Sequence, residues 1–132
     1  MQYGLVPFVQ DAAKAALAPA GDQEVRKVHA IYRERRDVFC RVFFEASAGT
    51  NTKARVLVPP PGSMYCLVDV RQTRWSSGLD FAEQLFDRHR IAVVAGEGFG
   101  SHTHGFLRVA LTVDAAAVER AARAICDVGA AR

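Results

Sequence analysis

The stretch from residue 91 to residue 111, IAVVAGEGFGSHTHGFLRVAL, decides the fold of this chain. It opens with a short β-branched run, residues 91–94, of the kind that forms a buried strand. Four glycines lie in the loop that follows, Gly96, Gly98, Gly100 and Gly105. Glycine adopts backbone angles that other residues resist, so this loop can turn closely past a ligand or another backbone. Residues 106–113 then form a second apolar run, and the stretch predicts two strands joined by a glycine loop (residues 95–105).

Arg108 is the residue of the second strand that needs an explanation. By a period of two, Leu107 and Val109 share one face of the strand and Arg108 lies on the other. A guanidinium in an apolar strand is costly unless it meets water or an anion. Two interpretations stay open: a solvated or salt-bridged arginine on the open face of a sheet, or a guanidinium fork that binds a carboxylate at a cleft.

The bulk composition limits the class of protein. A chain of 132 residues with 50% hydrophobic residues is one domain or part of a larger one. The formal charge of +3 is only mildly basic, and no basic run is interleaved with aromatics, so we expect no nucleic-acid partner. The apolar runs are shorter than the roughly 20 residues that span a bilayer, and the first ten residues lack a signal-peptide pattern. We therefore expect a cytoplasmic protein with no membrane contact.

The cysteines agree with that location. Cys40, Cys66 and Cys126 are odd in number, widely spaced and set in apolar surroundings. They predict reduced core residues rather than disulfides or metal ligands.

Helices and strands mix along the rest of the chain. The patterns predict helices over 7–18, 23–46, 78–89 and 114–129, and strands over 53–58, 64–70, 91–94 and 106–113. Ser77 and Asp114 precede two of the helices as capping residues, and Gly129 is expected to end the last one. The fold class is therefore α+β, a small sheet of three or four strands with helices packed on one face and one long helix near the N-terminus.

The long helix carries an apolar stripe that we expect to be buried. Its members recur at steps of three and four, Val25, Val28, Tyr32, Phe39, Val42 and Ala46. Arg35 interrupts the stripe where a further apolar residue would lie.

Other chemical motifs are weak. His102 and His104 are two residues apart and could share a metal, but no third ligand has a meaningful spacing. They could equally line a cleft. No Gly-x-Ser-x-Gly surrounds a serine, and no Gly-Lys-Ser/Thr follows the glycine loop, so neither a nucleophile elbow nor a P-loop is present.

The sequence A-G-E-G-F-G, followed by G-F-L-R-V-A-L, resembles the C-terminal signature of class I/II, fold-type I, pyridoxal-phosphate-dependent aminotransferases. In that family a "PG..FG" loop precedes a strand whose arginine binds the substrate α-carboxylate, and here Ala95 stands in place of the usual proline. Other segments resemble the family in the same order, namely "YG.VPFVQDAAKAAL" from Tyr3, "Y..RRD" from Tyr32, P-x-G-x-M-Y from Pro60 and "FA..L" from Phe81.

The resemblance implies a fold and a set of roles. Residues 1–21 would be a remnant of the large cofactor-binding domain, and residues 22–132 the small C-terminal domain with its long linking helix. Arg108 would bind the α-carboxylate of the amino acid, and Phe99 would shape the cleft with the glycine loop. Tyr3 and Gly4 would lie near a homodimer interface. The intact enzyme would transfer an amino group from an amino acid to a 2-oxo acid.

The cofactor lysine is missing from this sequence. The family holds pyridoxal 5'-phosphate through a Schiff-base lysine in an S-x-x-K context. None of Lys14, Lys27 and Lys53 matches that context. The resemblance therefore implies a fragment that needs its missing large domain, holds no cofactor and has no catalytic residue of its own.

An alternative from a different class is a stand-alone, non-catalytic α+β binding or interaction domain descended from such an enzyme. The reading frame upstream of Met1 separates the two hypotheses. The segments "AGE.FG" and "LVDVR" resemble branches of the family that act on aspartate, arginine or other hydrophilic amino acids.

Overall fold

The computed structural model describes residues 6–75 and 77–130. The helices in this part are α1 (Pro7–Leu17), α2 (Asp22–Thr50), α3 (Gly78–His89) and α4 (Ala115–Ala130), and the strands are β1 (Tyr65–Asp69), β2 (Val94–Ala95) and β3 (Phe106–Ala110). Short 3-10 helices lie at Pro19–Gly21, Gly96–Phe99 and Ser101–Thr103. The chain divides into two compact units between Ile31 and Tyr32.

The first unit contains α1 and the start of α2. Pro7 lies at the first turn of α1, where its missing N–H removes no helix hydrogen bond. None of the residues of α1 is buried. Val25 and Val28 of α2 are 45% and 46% exposed, so this part of the predicted stripe is not covered by the described residues.

The second unit begins within α2, which extends further than its sequence pattern predicts. The sequence predicts a helix over 23–46 that ends by Gly49, whereas α2 ends at Thr50. The hydroxyl of Thr50 donates to the Ala46 carbonyl at 2.8 Å, and this bond satisfies a carbonyl of the last turn. The chain then leaves the helix at Asn51, whose φ of 54° is in the left-handed region that asparagine tolerates.

The sheet is antiparallel, with the order β1-β3-β2. Since β3 is central, both of its edges are hydrogen-bonded to neighbours. Arg108 of β3 faces Leu67 on β1 and Val94 on β2. The position of Arg108 on the backbone is therefore fixed from both sides.

The core lies against one face of this sheet. Alternate strand residues are buried there, Cys66, Val68, Leu107 and Val109. The helices contribute large side chains to the same cluster, among them Phe39 and Phe43 of α2, Phe81 and Leu85 of α3, and Ile125 of α4. The predicted α+β class with helices on one face is confirmed, and the sheet has three strands among the described residues.

The predicted edge strand over residues 53–58 is wrong. Only Arg55 pairs, through an isolated bridge in which its N–H and carbonyl exchange 2.8 Å bonds with Asp69. The flanking Ala54 and Val56 are buried in the core, and the prolines at 59–61 have no N–H to extend a ladder. Of the strand predicted over 91–94, only Val94 is in a strand, because β2 is Val94–Ala95. Ile91 and Val93 pack against the core without pairing.

Arg35, which interrupts the apolar stripe, and Gly129 both have structural roles. Arg35 donates from Nη1 to the Leu111 carbonyl at 3.2 Å, which links α2 to the segment after β3. Gly129, expected to end the last helix, lies inside α4, which reaches Ala130. A Cβ on Gly129 would lie 3.1 Å from Ala54 Cβ, so this glycine permits close packing rather than helix termination.

The three cysteines are free and buried, as predicted. Burial raises the pKa of the Cys66 and Cys126 thiols to about 12. Burial also raises the pKa of Cys40. These thiols are packed core groups that stay protonated at neutral pH.

Candidate anion-binding site

Arg108 lies on the sheet face opposite the core. Its neighbours along β3, Leu107 and Val109, are buried on the helix side, while Arg108 is partly buried. Leu67 and Val94, which flank Arg108 across the sheet, are 50% and 43% exposed. The alternation predicted from the sequence thus puts the guanidinium on the open face.

Two aromatic rings enclose the guanidinium. Arg108 Cζ lies 4.4 Å from the ring centroid of Tyr65 and 4.6 Å from that of Phe99. Tyr65 faces Ala110 in the register, so it is a diagonal neighbour of Arg108 on the same face. Both rings lie close enough to attract the charge of the guanidinium, and contact with two rings restricts its movement.

The charge of Arg108 has no internal partner among the described residues. Its Nε is buried without a hydrogen-bond acceptor. None of the ion pairs within residues 6–75 and 77–130 includes Arg108. The salt-bridged interpretation is therefore not supported, and the guanidinium is oriented but unneutralised. Such a group is suited to a planar anion such as a carboxylate.

Arg71 provides a contrast on the same side of the molecule. Its Nε and Nη2 donate to the two oxygens of Asp69 at 2.9 and 2.8 Å, and its Cζ lies 4.7 Å from the Phe106 ring centroid. This fork lowers the pKa of the buried Asp69 carboxyl. Arg71 is thus satisfied by an internal carboxylate, whereas Arg108 is not.

Glu97 holds the glycine loop together. Its Oε1 accepts from the N–H of Gly78 at 2.8 Å and from the N–H of Gly105 at 3.1 Å. Thr103 Oγ1 closes the loop: it lies 2.7 Å from the Gly96 carbonyl oxygen and 2.8 Å from the Gly100 carbonyl oxygen, which share its single proton. The loop that carries Phe99 is therefore held mainly by polar bonds to neighbouring backbone.

Glycine is required at two points of this loop. A Cβ on Gly96 would meet the Thr103 carbonyl and would lie 3.0 Å from the Phe106 carbonyl oxygen. Gly100 has a φ of 115°, which side-chain-bearing residues rarely adopt. The tight turn expected from the sequence is therefore built on close backbone approach at Gly96.

The structure brings the two predicted site residues together, with Arg108 Cζ 4.6 Å from the Phe99 ring centroid, and their roles in substrate binding stay predictions. The sequence places Tyr65 at the end of the P-x-G-x-M-Y motif and Glu97 in the glycine loop, but it assigns neither residue a role in the site. The alternation of β1 could have predicted that Tyr65 lies on the open face of the sheet. Glu97 could have been singled out as the one charged residue in the A-G-E-G-F-G segment. Tyr3 and Gly4, predicted near a dimer interface, lie outside the described residues.

The two histidines of the loop, His102 and His104, form no metal site with other described side chains. His104 Nδ1 lies 3.4 Å from Glu97 Oε1, and His102 is exposed. Within residues 6–75 and 77–130 there is no group of three or more histidine, cysteine, aspartate or glutamate side chains arranged to hold a metal.

The lysines do not fit a cofactor site. Lys14 and Lys27 are exposed and pair with Asp11 and Glu24 on their own helices. Lys53 is also exposed. None is enclosed in a way that would hold an aldehyde cofactor as a Schiff base.

Among the described helices, none is both long and apolar enough to cross a bilayer.

The described residues form an α+β domain with helices on one face of the sheet, and Arg108 lies on the other face. The family model for aminotransferase class I and II matches residues 5–125. The chain belongs to this family.

Curated relatives agree with that assignment. The arginine–pyruvate transaminase AruH of Pseudomonas aeruginosa is 37% identical over 126 residues, which cover 95% of this chain and 30% of the relative. An LL-diaminopimelate aminotransferase of Nitratidesulfovibrio vulgaris is 34% identical over 128 residues, covering 97% and 30%. The chain thus spans about 30% of the length of these relatives.

Solved structures share the fold. An aromatic aminotransferase from Pyrococcus horikoshii superposes with a TM-score of 0.70 at 24% identity, covering 89% of this chain and 29% of the other. A probable N-succinyldiaminopimelate aminotransferase from Thermus thermophilus gives a TM-score of 0.64 at 28% identity, covering 80% and 26%.

Proposed function

We propose that this chain is the C-terminal part of a pyridoxal-phosphate-dependent aminotransferase and that Arg108 binds the α-carboxylate of its substrates. The enzyme would transfer an amino group from an amino acid to a 2-oxo acid. The observation that carries the proposal is the Arg108 guanidinium, which is oriented by two rings and has no carboxylate partner among the described residues.

Within this chain, the task is to bind and orient. The planar guanidinium offers two parallel N–H donors to a carboxylate, and the rings of Tyr65 and Phe99 restrict its tilt. A carboxylate held at both oxygens keeps its plane and position, which restricts the directions that the bond from Cα to its hydrogen can take. Phe99, 53% exposed and 4.6 Å from the guanidinium carbon, would line the cleft and limit the access of water.

The cofactor would be held elsewhere in the intact enzyme. When bound, pyridoxal phosphate supplies an electron sink for the carbanion at Cα. Because all three lysines are exposed and none lies in an S-x-x-K context, we infer that this chain alone holds no cofactor and is inactive. In this proposal residues 1–21 belong to the large domain and residues 22–132 to the small one. Half-exposed apolar residues such as Val25 and Val28 suit a surface that the rest of a homodimeric enzyme covers.

The substrate class follows from the relatives and the loop. The similar proteins include enzymes named for arginine and for LL-diaminopimelate. Both amino acids have polar side chains, in agreement with the resemblance of "AGE.FG" and "LVDVR" to branches that use hydrophilic substrates. We therefore propose a hydrophilic amino acid as the donor.

The first experiment is substitution of Arg108 in the intact enzyme. Arg108→Ala should lower kcat/KM for the amino acid and for the oxo acid by roughly 30- to 5,000-fold, which corresponds to the loss of about 2–5 kcal/mol for a buried charged pair. Arg108→Lys should recover only part of the loss, since an ammonium keeps the charge but not the planar fork. Arg123→Ala is the matched control, because Arg123 pairs with Glu119 on the exposed side of α4.

Unchanged kinetics in Arg108→Ala would refute the carboxylate role. The identity of the whole protein is tested separately by sequencing upstream of Met1. A continuous frame that encodes a large domain with S-x-x-K supports the enzyme. A true start codon at Met1 supports the stand-alone binding domain.

A further inference from the structure

Glu97 joins the three segments that build the site. It lies in the short 3-10 helix Gly96–Phe99, the turn that carries Phe99. Through one oxygen it accepts from Gly78, the first residue of α3, and from Gly105, the residue before β3. A single carboxylate thus ties the Phe99 turn to the helix on one side and to the Arg108 strand on the other.

The electrostatics keep this carboxylate charged. Burial raises the pKa of Glu97, but the N–H donors of Gly105, Glu97 itself and Gly78 and the nearby His104 together lower it below its ordinary value. The negative charge also lies at the N-terminus of α3, where the helix dipole favours it. The second oxygen, Oε2, is buried without a hydrogen-bond partner among the described residues. The hydrogen bonds that the carboxylate accepts from the Gly78 and Gly105 N–H groups are therefore both made by Oε1.

Phe99 is not held by the core cluster. Its ring is 53% exposed, and it is not among the residues of the core cluster. A Cβ on Gly78 would lie 2.7 Å from Glu97 Oε2, so the absence of a side chain there lets the carboxylate approach the helix. The bonds of Glu97 and Thr103 thus tie down the turn from which the Phe99 ring reaches Arg108.

We propose that Glu97 is a positioning residue for substrate binding, which holds Phe99 against Arg108 and so sets the plane of the guanidinium. The inference rests on the proposed function of Arg108. Glu97 itself touches neither the substrate nor the cofactor in this proposal. Its effect is on the affinity and alignment of the carboxylate.

The test uses the Nε–H proton of Arg108 in the 132-residue chain, observed by ¹H–¹⁵N NMR. The rings of Tyr65 and Phe99 should move this proton upfield of an ordinary arginine. Phe99→Ala gives the size of the contribution from Phe99. Glu97→Ala should reproduce most of that change, and Glu97→Gln, which keeps an acceptor oxygen for Gly78 and Gly105, should restore the wild-type position.

Glu45→Ala is the matched control, since Glu45 is an exposed carboxylate of α2 paired with Arg41. If Glu97→Ala fails to fold, Glu97→Asp is measured instead, because its shorter side chain cannot bridge both backbone donors. An Arg108 resonance that stays at its wild-type position in the folded Ala or Asp variant overturns the inference.

A kinetic measurement in the intact enzyme completes the test. Glu97→Ala should raise KM for the amino acid more than it lowers kcat, with kcat/KM reduced about 10- to 100-fold by misplacement of the carboxylate. Glu97→Gln should recover most of the loss. If Arg108→Ala impairs the enzyme and Glu97→Ala does not, the positioning role fails alone. If Arg108→Ala has no effect, the proposed function fails, whatever the NMR result.

Discussion

At the scale of single residues, the site depends on what stands next to Arg108. The period of two along β3 was enough to predict which face the arginine occupies. The ring of Tyr65 could not be assigned to it from the sequence, because the diagonal contact depends on the register that pairs Tyr65 with Ala110. The role of Glu97 was hidden for a similar reason, since its partners Gly78 and Gly105 are 19 and 8 residues away.

Gly96 offers a prediction at this scale. Gly96→Ala should destabilise the chain by about 1–3 kcal/mol, because the new Cβ would meet the Thr103 backbone, which cannot move away as a flexible side chain would. Gly98→Ala is the matched control in the same turn, where a Cβ meets nothing within 4 Å, and it should change stability by less than about 0.5 kcal/mol. Urea unfolding followed by circular dichroism measures both. Equal stabilities of the two variants would contradict the close approach at Gly96.

At the scale of elements, prediction succeeded where the signal was local. Helix α3 has the predicted bounds because Ser77 caps it, accepting from the N–H groups of Leu79 and Asp80 at 3.2 and 3.4 Å. The cap can be recognised from the sequence alone, since its donors are two and three residues away. The segment 53–58 has strand-like composition, but a strand also requires a partner edge, and only Arg55 finds one.

The cap of α3 gives a second prediction. Ser77→Ala should lower the free energy of unfolding by about 1 kcal/mol, the usual cost of losing a capping oxygen. Ser77→Asp keeps an acceptor and should cost less. Ser47→Ala serves as the control, because the Ser47 hydroxyl donates to the Phe44 carbonyl within α2 and caps no helix N-terminus. The measurement is the denaturant concentration at the unfolding midpoint of each variant. Equal midpoints for Ser77→Ala and Ser47→Ala would show that the cap contributes nothing to stability.

At the scale of the whole molecule, the apolar content was sufficient to predict a core. It did not reveal which apolar residues remain outside it. Val25 and Val28 follow the same helical spacing as Phe39 and Val42, yet only the latter two are buried. Spacing defines a face of a helix, whereas burial requires another segment to cover that face.

The buried cysteines give a prediction for the folded chain. At neutral pH a disulfide reagent should react with the native thiols more than about a hundredfold slower than with the same thiols in denaturant, because burial both shields them and raises their pKa. Ala48→Cys adds a thiol at an exposed position of α2 and should react at once. Rapid modification of the native chain without that substitution would mean that the core opens easily.

The central place of β3 has a thermodynamic consequence. The backbone of Arg108 is bonded into the middle of the sheet, between β1 and β2. The site around the guanidinium exists only in the folded chain, where two rings from separate segments lie beside it. An anion captured there must favour the native ensemble by mass action, so ligand concentration and melting temperature are linked through this single side chain.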